Sequence, residues 1–173
     1  MAGRRVTVRA ARIDELPDVA RVRVASWRAG YAGLVPDSEL AAIGEPDRVD
    51  QWVARMASST DTSTLVAVRG GDVIGFAAYG TERSDLAPAV AGRGEVYALY
   101  VDPDHWGAGA GHALLSASRE SLRTRGFDAV SIWVLEGNAR GVAFYLRQGF
   151  APTGEVTESR IDALPEARYA RPV

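Results

Sequence analysis

The chain has 173 residues, of which 47% are hydrophobic and 24% charged, and its formal net charge is −2 at pH 7. This composition is ordinary for a globular protein, and we expect a single domain over residues 1–173. The small net charge gives no reason to expect a nucleic-acid or membrane partner. Residues 1–16 have a basic start but no apolar core of a secretory signal, so the expected location is cytoplasmic.

Two residue types are absent from the sequence. It contains no cysteine, and its 20 Lys and Arg residues are all arginine. Disulfides, thiolate metal sites and a cysteine-bound intermediate are therefore excluded. A phosphate-loop lysine and a catalytic lysine are excluded as well. The two histidines, His105 and His112, have no partners at metal-ligand spacing, so we predict no metal site.

The first half of the chain predicts a strand, three helices and a hairpin. Asp14 is expected to cap the first helix, whose first turn accommodates Pro17. A turn over Arg69-Gly70-Gly71-Asp72 is typical of a tight hairpin. In chain order, the predicted elements are strand 6–11, helix 16–31, a break followed by a short helix within 33–40, helix 46–58, and strands 64–69 and 73–80.

The second half predicts strands that alternate with helices after a loop. Gly126 and Gly149 are expected to end the two helices. The predicted elements are loop 81–93, strand 95–101, helix 112–126, strand 129–135, helix 139–148, and strands 150–156 and 166–173. This order indicates a mixed α/β sheet flanked by helices.

The glycine-rich stretch WGAGAG, residues 106–111, lies where a predicted strand passes into a predicted helix. Free N–H groups at a helix N-terminus bind anions, and glycines allow a phosphate to approach the backbone. A phosphate loop requires Gly-Lys-Ser/Thr, but His112 follows Gly111. The loop nearly matches the glycine fingerprint of dinucleotide-binding proteins, in which Asp128 would be the acidic residue that binds the ribose. However, too little chain follows for a full nucleotide-binding sheet. A cradle for the diphosphate of coenzyme A and a simple turn are the remaining alternatives.

Two stretches, EVYALYVDPDHWGAGAGHALL (95–115) and SIWVLEGNARGVAFYLRQGF (131–150), resemble motifs A and B of the GNAT superfamily of N-acetyltransferases. Residues 25–40 are similar to the N-terminal region of many bacterial members. Trp106 stands where the family pattern has Gln or Arg. The matching positions are Val101, Pro103, Gly109, Gly111, Leu114 and Leu115 in motif A, and Asn138, Phe144, Tyr145, Gly149 and Phe150 in motif B.

This resemblance implies a mixed, mostly antiparallel central sheet with a splayed strand pair, flanked by helices. It implies direct acetyl transfer from acetyl-CoA, without a metal, to a primary amine of a small molecule or a peptide N-terminus. The implied acetyl-CoA contacts are Leu99, Tyr100, Val101, Gly107, Ala108, Gly109, Ala110, Gly111, His112, Asn138 and Tyr145. Tyr145 would act as general acid toward the leaving sulfur. Asn138 by itself is typical of a helix N-cap.

The general base and the acceptor site follow from the resemblance less directly. Glu95, at the start of the central strand, is the candidate base, often acting through water in the family, with a solvated strand-end charge as the alternative. Glu136 and Asp102 are weaker candidates. The predicted acceptor contacts are Trp27, Tyr31, Tyr97 and Trp133, for each of which core packing is the alternative. Homodimers are frequent in the superfamily, so a homodimer is compatible with it. The alternative function is a non-catalytic sensor domain that binds acyl-CoA.

Overall fold

The computed structural model describes residues 5–83, 88–159 and 163–173. Within these residues, seven strands form one sheet in the order β1-β2-β3-β4-β5-β7-β6. The strands are β1 Thr7–Ala10, β2 Thr62–Arg69, β3 Asp72–Thr81, β4 Arg93–Val101, β5 Ala129–Leu135, β6 Ala151–Glu158 and β7 Pro165–Pro172. The helices are α1 Leu16–Gly30, α2 Asp37–Ala42, α3 Pro46–Ser58, α4 Ala110–Thr124 and α5 Ala139–Arg147.

Most neighbouring strands in the sheet are antiparallel, and β4 and β5 are the parallel pair. The predicted hairpin between β2 and β3 is confirmed, with Gly70 and Gly71 at φ 68° and 103°. This mixed, mostly antiparallel sheet confirms the expected fold class. It also excludes the dinucleotide-binding alternative, which requires a mostly parallel sheet.

The parallel pair β4–β5 is splayed, as expected. The two strands pair only at Arg93 with Ala129, Gly94 with Val130, and Glu95 with Ser131. Beyond Glu95 the register ends while both strands continue, so a wedge-shaped gap opens between them. This gap is the main interruption of the sheet.

A bulge at Tyr97 changes the face to which the rest of β4 points. Ala98 pairs with Ala78 of β3 and Val96 pairs with the next residue, Tyr79, so Tyr97 is the extra residue. Val101 therefore packs with Leu114 of α4, whereas Glu95 lies on the opposite face. Without the bulge, residues 95, 97, 99 and 101 would share one face.

The helices cover both faces of the sheet. Leu115 and Leu122 of α4, with Tyr145 of α5, pack against Val130 and Ile132 of β5 on one face. The two α4 leucines are almost fully buried, and each contributes roughly 1.5–3 kcal/mol by removal of its side chain from water. The other face is covered by α1 and α3, where the buried set is Val19, Val22, Val66, Val73 and Phe76.

A buried charge network holds the closed end of the gap. The Glu82 carboxylate is fully buried and accepts hydrogen bonds from Arg93 Nε and Ser131 Oγ, both at 2.5 Å. Arg168 Nη1 lies 3.7 Å from Glu82 and 2.8 Å from Glu155. Burial alone would raise the pKa of Glu82, but the hydrogen bonds from Arg93 and Ser131 outweigh it and the pKa is lowered. An ionised Glu82 thus links the chain after β3 to β4 and β5.

Two details of the predicted helices are wrong. Asp14 does not cap α1, because residues 13–15 form a 3₁₀ turn and it is Glu15 that accepts the Arg12 backbone N–H, at 2.9 Å. Helix α4 begins at Ala110, two residues earlier than predicted, since Gly109 at φ 84° precedes it as N-cap. Its predicted end at Gly126 is confirmed, at φ 88°. Residues 84–87 of the predicted loop 81–93 lie outside the described residues.

Across the described ranges, no helix is both long and apolar enough to cross a membrane. The same ranges hold no group of three or more His, Asp or Glu side chains arranged to bind a metal ion.

Candidate active site

The gap between β4 and β5 opens into a cavity of about 380 Å³. The structure brings together most of the residues that the sequence singles out, whereas Trp27, Glu95 and Ala108 do not line this cavity. The predicted residues that line it are Tyr31, Tyr97, Leu99, Tyr100, Val101, Gly107, Gly109, Ala110, Gly111, His112, Trp133, Asn138 and Tyr145.

The glycine-rich loop forms one end of the cavity. Gly107 and Gly109 have φ angles of 81° and 84°, a left-handed conformation that favours glycine. No heavy atom lies within 4 Å of the position that a Cβ would take at either glycine, so the backbone is open to a ligand. Helix α4 begins at Ala110, and its first N–H groups have no partner inside the helix. This end of the cavity suits an anion.

The exposed edge of β4 forms a wall of the cavity. The Asp102 N–H donates to Ile74 O of β3 at 2.8 Å. Because antiparallel residues alternate between pairs that exchange hydrogen bonds and pairs that do not, the backbone groups of Leu99 and Val101 face the gap. Trp106 Nε1 donates to Val101 O at 2.8 Å. An extended ligand can therefore add to β4 as a further strand would.

Helix α5 forms the opposite wall. Asn138 is its N-cap, because Oδ1 accepts the Gly141 N–H at 2.9 Å, and it also lines the cavity. Arg140, Phe144 and Arg147 reach the same cavity at i, i+4 and i+7 spacing, which is one helical face. This face turns two arginines toward the gap.

Tyr145 is the titratable group that α5 buries most deeply beside the gap. Its side chain packs edge-on against Phe144 and Phe150, with ring centroids 5.1 and 5.6 Å away. Burial raises the pKa of Tyr145 well above its usual value near 10, and Tyr100 adds to the effect. The hydroxyl makes no hydrogen bond to any residue in the described ranges. Tyr145 is thus a protonated phenol that is free to donate.

Three aromatic side chains line the end of the cavity that was predicted to receive the acceptor. Tyr31 Oη lies 3.5 Å from Tyr100 Oη, and burial raises the pKa of Tyr31. Trp27 packs behind Tyr31 at a centroid distance of 5.2 Å. Trp27 does not line the cavity, and its position favours packing against Tyr31 over a direct acceptor contact.

Tyr97 and Trp133 complete this aromatic end, and each is held by a partner outside the cavity. Tyr97 Oη donates to Thr81 O at 2.5 Å. The Arg168 guanidinium stacks 4.4 Å from the Trp133 ring centroid. Both rings are thereby fixed in orientation.

Glu95 lies at the closed end of the gap, beside the cavity lining. Its side chain is 1% exposed and paired with Arg83 Nη2 at 2.5 Å. Burial raises the pKa of Glu95, and Arg83 partly offsets this effect. The Arg83 guanidinium also stacks 4.3 Å from the ring centroid of Tyr97. Glu95 is thereby connected to the aromatic end through Arg83 and Tyr97.

The other carboxylates differ in their surroundings. Asp102 pairs with Arg21 at 2.8 Å and Glu136 is exposed, and neither is among the residues that line the cavity. Glu166 of β7 was missed by sequence reasoning. It is partly buried, which raises its pKa. The positive charge of Arg83 opposes this rise, and the negative charge of Glu95 adds to it. No local motif marks Glu166, because its neighbourhood arises only from strand pairing.

Sequence reasoning also missed several lining residues. Phe144 belongs to the motif and Trp106 was noted as a departure from it, but neither was expected to line the site. The periodicity of α5, counted from the motif residue Phe144, places Arg140 at i−4 and Arg147 at i+3 on the same face and could have indicated both. The further lining residues are Ser26, Gly30, Ala98, His105, Trp106, Ile132, Val134, Arg140, Gly141, Phe144 and Arg147.

Comparison with known proteins agrees with this geometry. The sequence profile of the acetyltransferase (GNAT) family matches residues 25–150. An uncharacterized N-acetyltransferase of Bacillus subtilis, YuaI, is 33% identical over 147 residues, which are 85% of this chain and 80% of that protein. A mycothiol acetyltransferase of Propionibacterium freudenreichii is 39% identical over 93 residues, 53% of this chain and 28% of that protein.

A solved structure supports the same fold. The PaiA N-acetyltransferase of Thermoplasma acidophilum, in complex with coenzyme A, superposes with a TM-score of 0.74 at 21% identity, and the match covers 98% of this chain and 99% of that one. The splayed β4–β5 pair, the glycine-rich start of α4 and the profile match point to one conclusion. The chain belongs to the acetyltransferase (GNAT) family.

Proposed function

We propose that the protein transfers the acetyl group of acetyl-CoA to a primary amine of a small molecule or a peptide N-terminus, by direct attack in a ternary complex. One observation carries this proposal. A single cavity joins an anion-binding loop at the start of α4 to an aromatic chamber, and the free Tyr145 hydroxyl lines it. The names of the relatives as N-acetyltransferases support nitrogen as the acceptor atom.

The cavity fits the parts of acetyl-CoA. The diphosphate suits the open backbone at Gly107 and Gly109 together with the helix N-terminus. The pantetheine arm carries two amides, which match the backbone groups of Leu99 and Val101 along the edge of β4. Asn138 lines the cavity from the opposite wall, at the start of α5. These residues bind and orient the thioester.

The acceptor amine must first lose a proton, because an alkyl ammonium group has a pKa of about 10.4. Glu95 is the proposed base, and its raised pKa makes it a stronger proton acceptor than an exposed carboxylate. Since Glu95 is almost fully buried, the proton reaches it through water. The amine nitrogen then bonds to the thioester carbon, the carbon–sulfur bond breaks, and the sulfur leaves with the bonding electrons.

Tyr145 has the role of donor to the departing sulfur. Its pKa lies above the value of about 8.5 for a thiol, so complete proton transfer to a thiolate is unfavourable. A hydrogen bond from the phenol to the developing thiolate is favourable, and it stabilises the transition state more than the ground state. The final proton on sulfur comes from the nitrogen, which must release one to form the amide.

Release of free thiol tests the proposal. Purified protein is mixed with acetyl-CoA and a panel of primary amines, and a thiol-reactive dye reports coenzyme A as it forms. Because the chain has no cysteine, the protein itself gives no background. We expect thiol release that depends on an amine, together with a 42-Da increase in the mass of that amine. Binding of acetyl-CoA without turnover on any amine would contradict the enzyme and favour an acyl-CoA sensor.

A further inference from the structure

A positively charged side chain from α5, on the opposite wall of the cavity, reaches the glycine-rich loop. The Arg140 guanidinium, from the first turn of α5, lies 3.5 Å from the ring centroid of Trp106. Trp106 immediately precedes Gly107, and both aromatic and guanidinium groups line the cavity. The loop and α5 thus meet through this stacked pair.

The ring of Trp106 is fixed in place. It is partly buried, and its Nε1 donates to Val101 O at 2.8 Å, at the end of β4. A guanidinium stacked on a fixed indole loses little further freedom on binding a ligand. Arg140 is therefore held in a defined position relative to the open backbone of Gly107 and Gly109.

Arg140 has no anionic partner among the residues that the structure describes. No ion pair or hydrogen bond in the described ranges involves its side chain, which is exposed. Stacking uses the face of the guanidinium and leaves its edge of N–H donors available. A planar fork of donors matches two phosphate oxygens at once.

We propose that Arg140, stacked on Trp106, binds the diphosphate of acetyl-CoA across the glycine loop. The loop supplies backbone N–H groups, and Arg140 supplies a full positive charge from the opposite wall. The inference rests on the proposed function, since it takes acetyl-CoA as the ligand.

Calorimetric titration with coenzyme A and with 3′-dephospho-coenzyme A tests the assignment. For Arg140→Ala we expect the Kd for both ligands to rise about 10- to 100-fold, as for loss of a charge-assisted hydrogen bond. Arg140→Lys keeps the charge but loses the planar stack, so its Kd should fall between those of the wild type and Arg140→Ala. Arg123→Ala is the matched control, because it removes one arginine from an exposed ion pair with Glu120 on α4.

Two results would overturn the inference. One is an Arg140→Ala variant whose Kd for coenzyme A equals that of Arg123→Ala. The other is a loss of affinity for coenzyme A that disappears with 3′-dephospho-coenzyme A, since Arg140 would then contact the 3′-phosphate. Turnover is measured separately. A wild-type protein that binds coenzyme A but acetylates no amine contradicts the proposed function alone, whereas one that binds no coenzyme A contradicts both.

Discussion

The side chain of Arg83 encloses the carboxylate of Glu95. Its Nη2 lies 2.5 Å from Glu95 Oε1, and its backbone N–H donates to Oε2 at 3.0 Å. Burial raises the pKa of this carboxylate, and Arg83 lowers it. These two opposing effects set the pH at which Glu95 accepts a proton. This pair gives the first test of the proposed mechanism.

Glu95→Gln should lower kcat by about 100-fold or more, the usual contribution of a general base, with an unchanged Kd for acetyl-CoA. In the wild type, kcat/KM should rise as the pH passes the pKa of Glu95, since the base must be ionised. Arg83→Met should move this rise to higher pH, because Arg83 lowers the pKa. An identical pH profile in Arg83→Met would assign the rise to another group, such as Glu166.

Tyr145→Phe should lower kcat by at least about tenfold and leave the Kd for acetyl-CoA nearly unchanged. The hydroxyl has no partner in the described ranges, so its removal should cost little stability. Tyr79→Phe is the matched control, since Tyr79 lies in the same core cluster outside the cavity and donates to Ser121 at 2.9 Å. Stopped-flow or steady-state thiol release measures both variants. Equal kcat values for the two would remove Tyr145 from the chemistry.

Gly109→Ala should raise the Kd for acetyl-CoA at least about tenfold while the fold persists. The substitution places a Cβ in the open cradle and strains a residue at φ 84°, at a cost of roughly 1–2 kcal/mol. Gly126→Ala carries the same strain at φ 88°, also with open space around its Cβ, but lies at the far end of α4. Thermal unfolding should show similar losses for both variants, and titration should separate them. Retained affinity in Gly109→Ala would mean that the loop is not the cradle.

Glu15→Gln should lower the free energy of unfolding at pH 7 by about 1–3 kcal/mol, because the Glu15 carboxylate holds Arg9 at 2.6 Å. The hydrogen bond from Arg9 lowers the pKa of Glu15 from 4.5 to about 2. Since the folded-state pKa is the lower one, the stabilisation is complete above pH 4.5 and is lost as the pH falls toward 2.

Denaturant unfolding at several pH values measures this effect, with Asp14→Asn as control. The neighbouring Asp14 is 73% exposed and pairs with Arg12, so its substitution should change stability by less than about 1 kcal/mol. A difference between wild type and Glu15→Gln that stays constant from pH 7 to pH 2.5 would contradict the assigned pKa.

Local sequence signals were sufficient for most of the elements and for the open backbone of the glycine-rich loop. Gly70 and Gly71 mark a turn by their conformation, and Gly126 marks a helix end. The loop at Gly107 and Gly109 is also a local feature. In each case the residue itself imposes the backbone geometry, and distant contacts are not needed.

Features that depend on distant partners could not be predicted. The bulge at Tyr97 decides which face Glu95 occupies, and it exists only through pairing with β3. Alternation along the strand would have placed Glu95 with Val101. Likewise, Trp106 and Arg140 are 34 positions apart, and only the folded chain stacks them. The family pattern showed that Trp106 was unusual but not which cation it would hold.

The three residue pairs that join β4 to β5 hold the closed end of the gap in a fixed position. Because the two strands pair with each other at this end and not beyond Glu95, a small change of angle at Ser131 becomes a larger change in width at Val101. The width of the cavity is thus adjustable from Ser131, which is buried outside the cavity lining. A laboratory selection for bulkier acceptors should therefore recover substitutions at Ser131 and its buried partners, besides those in the cavity wall.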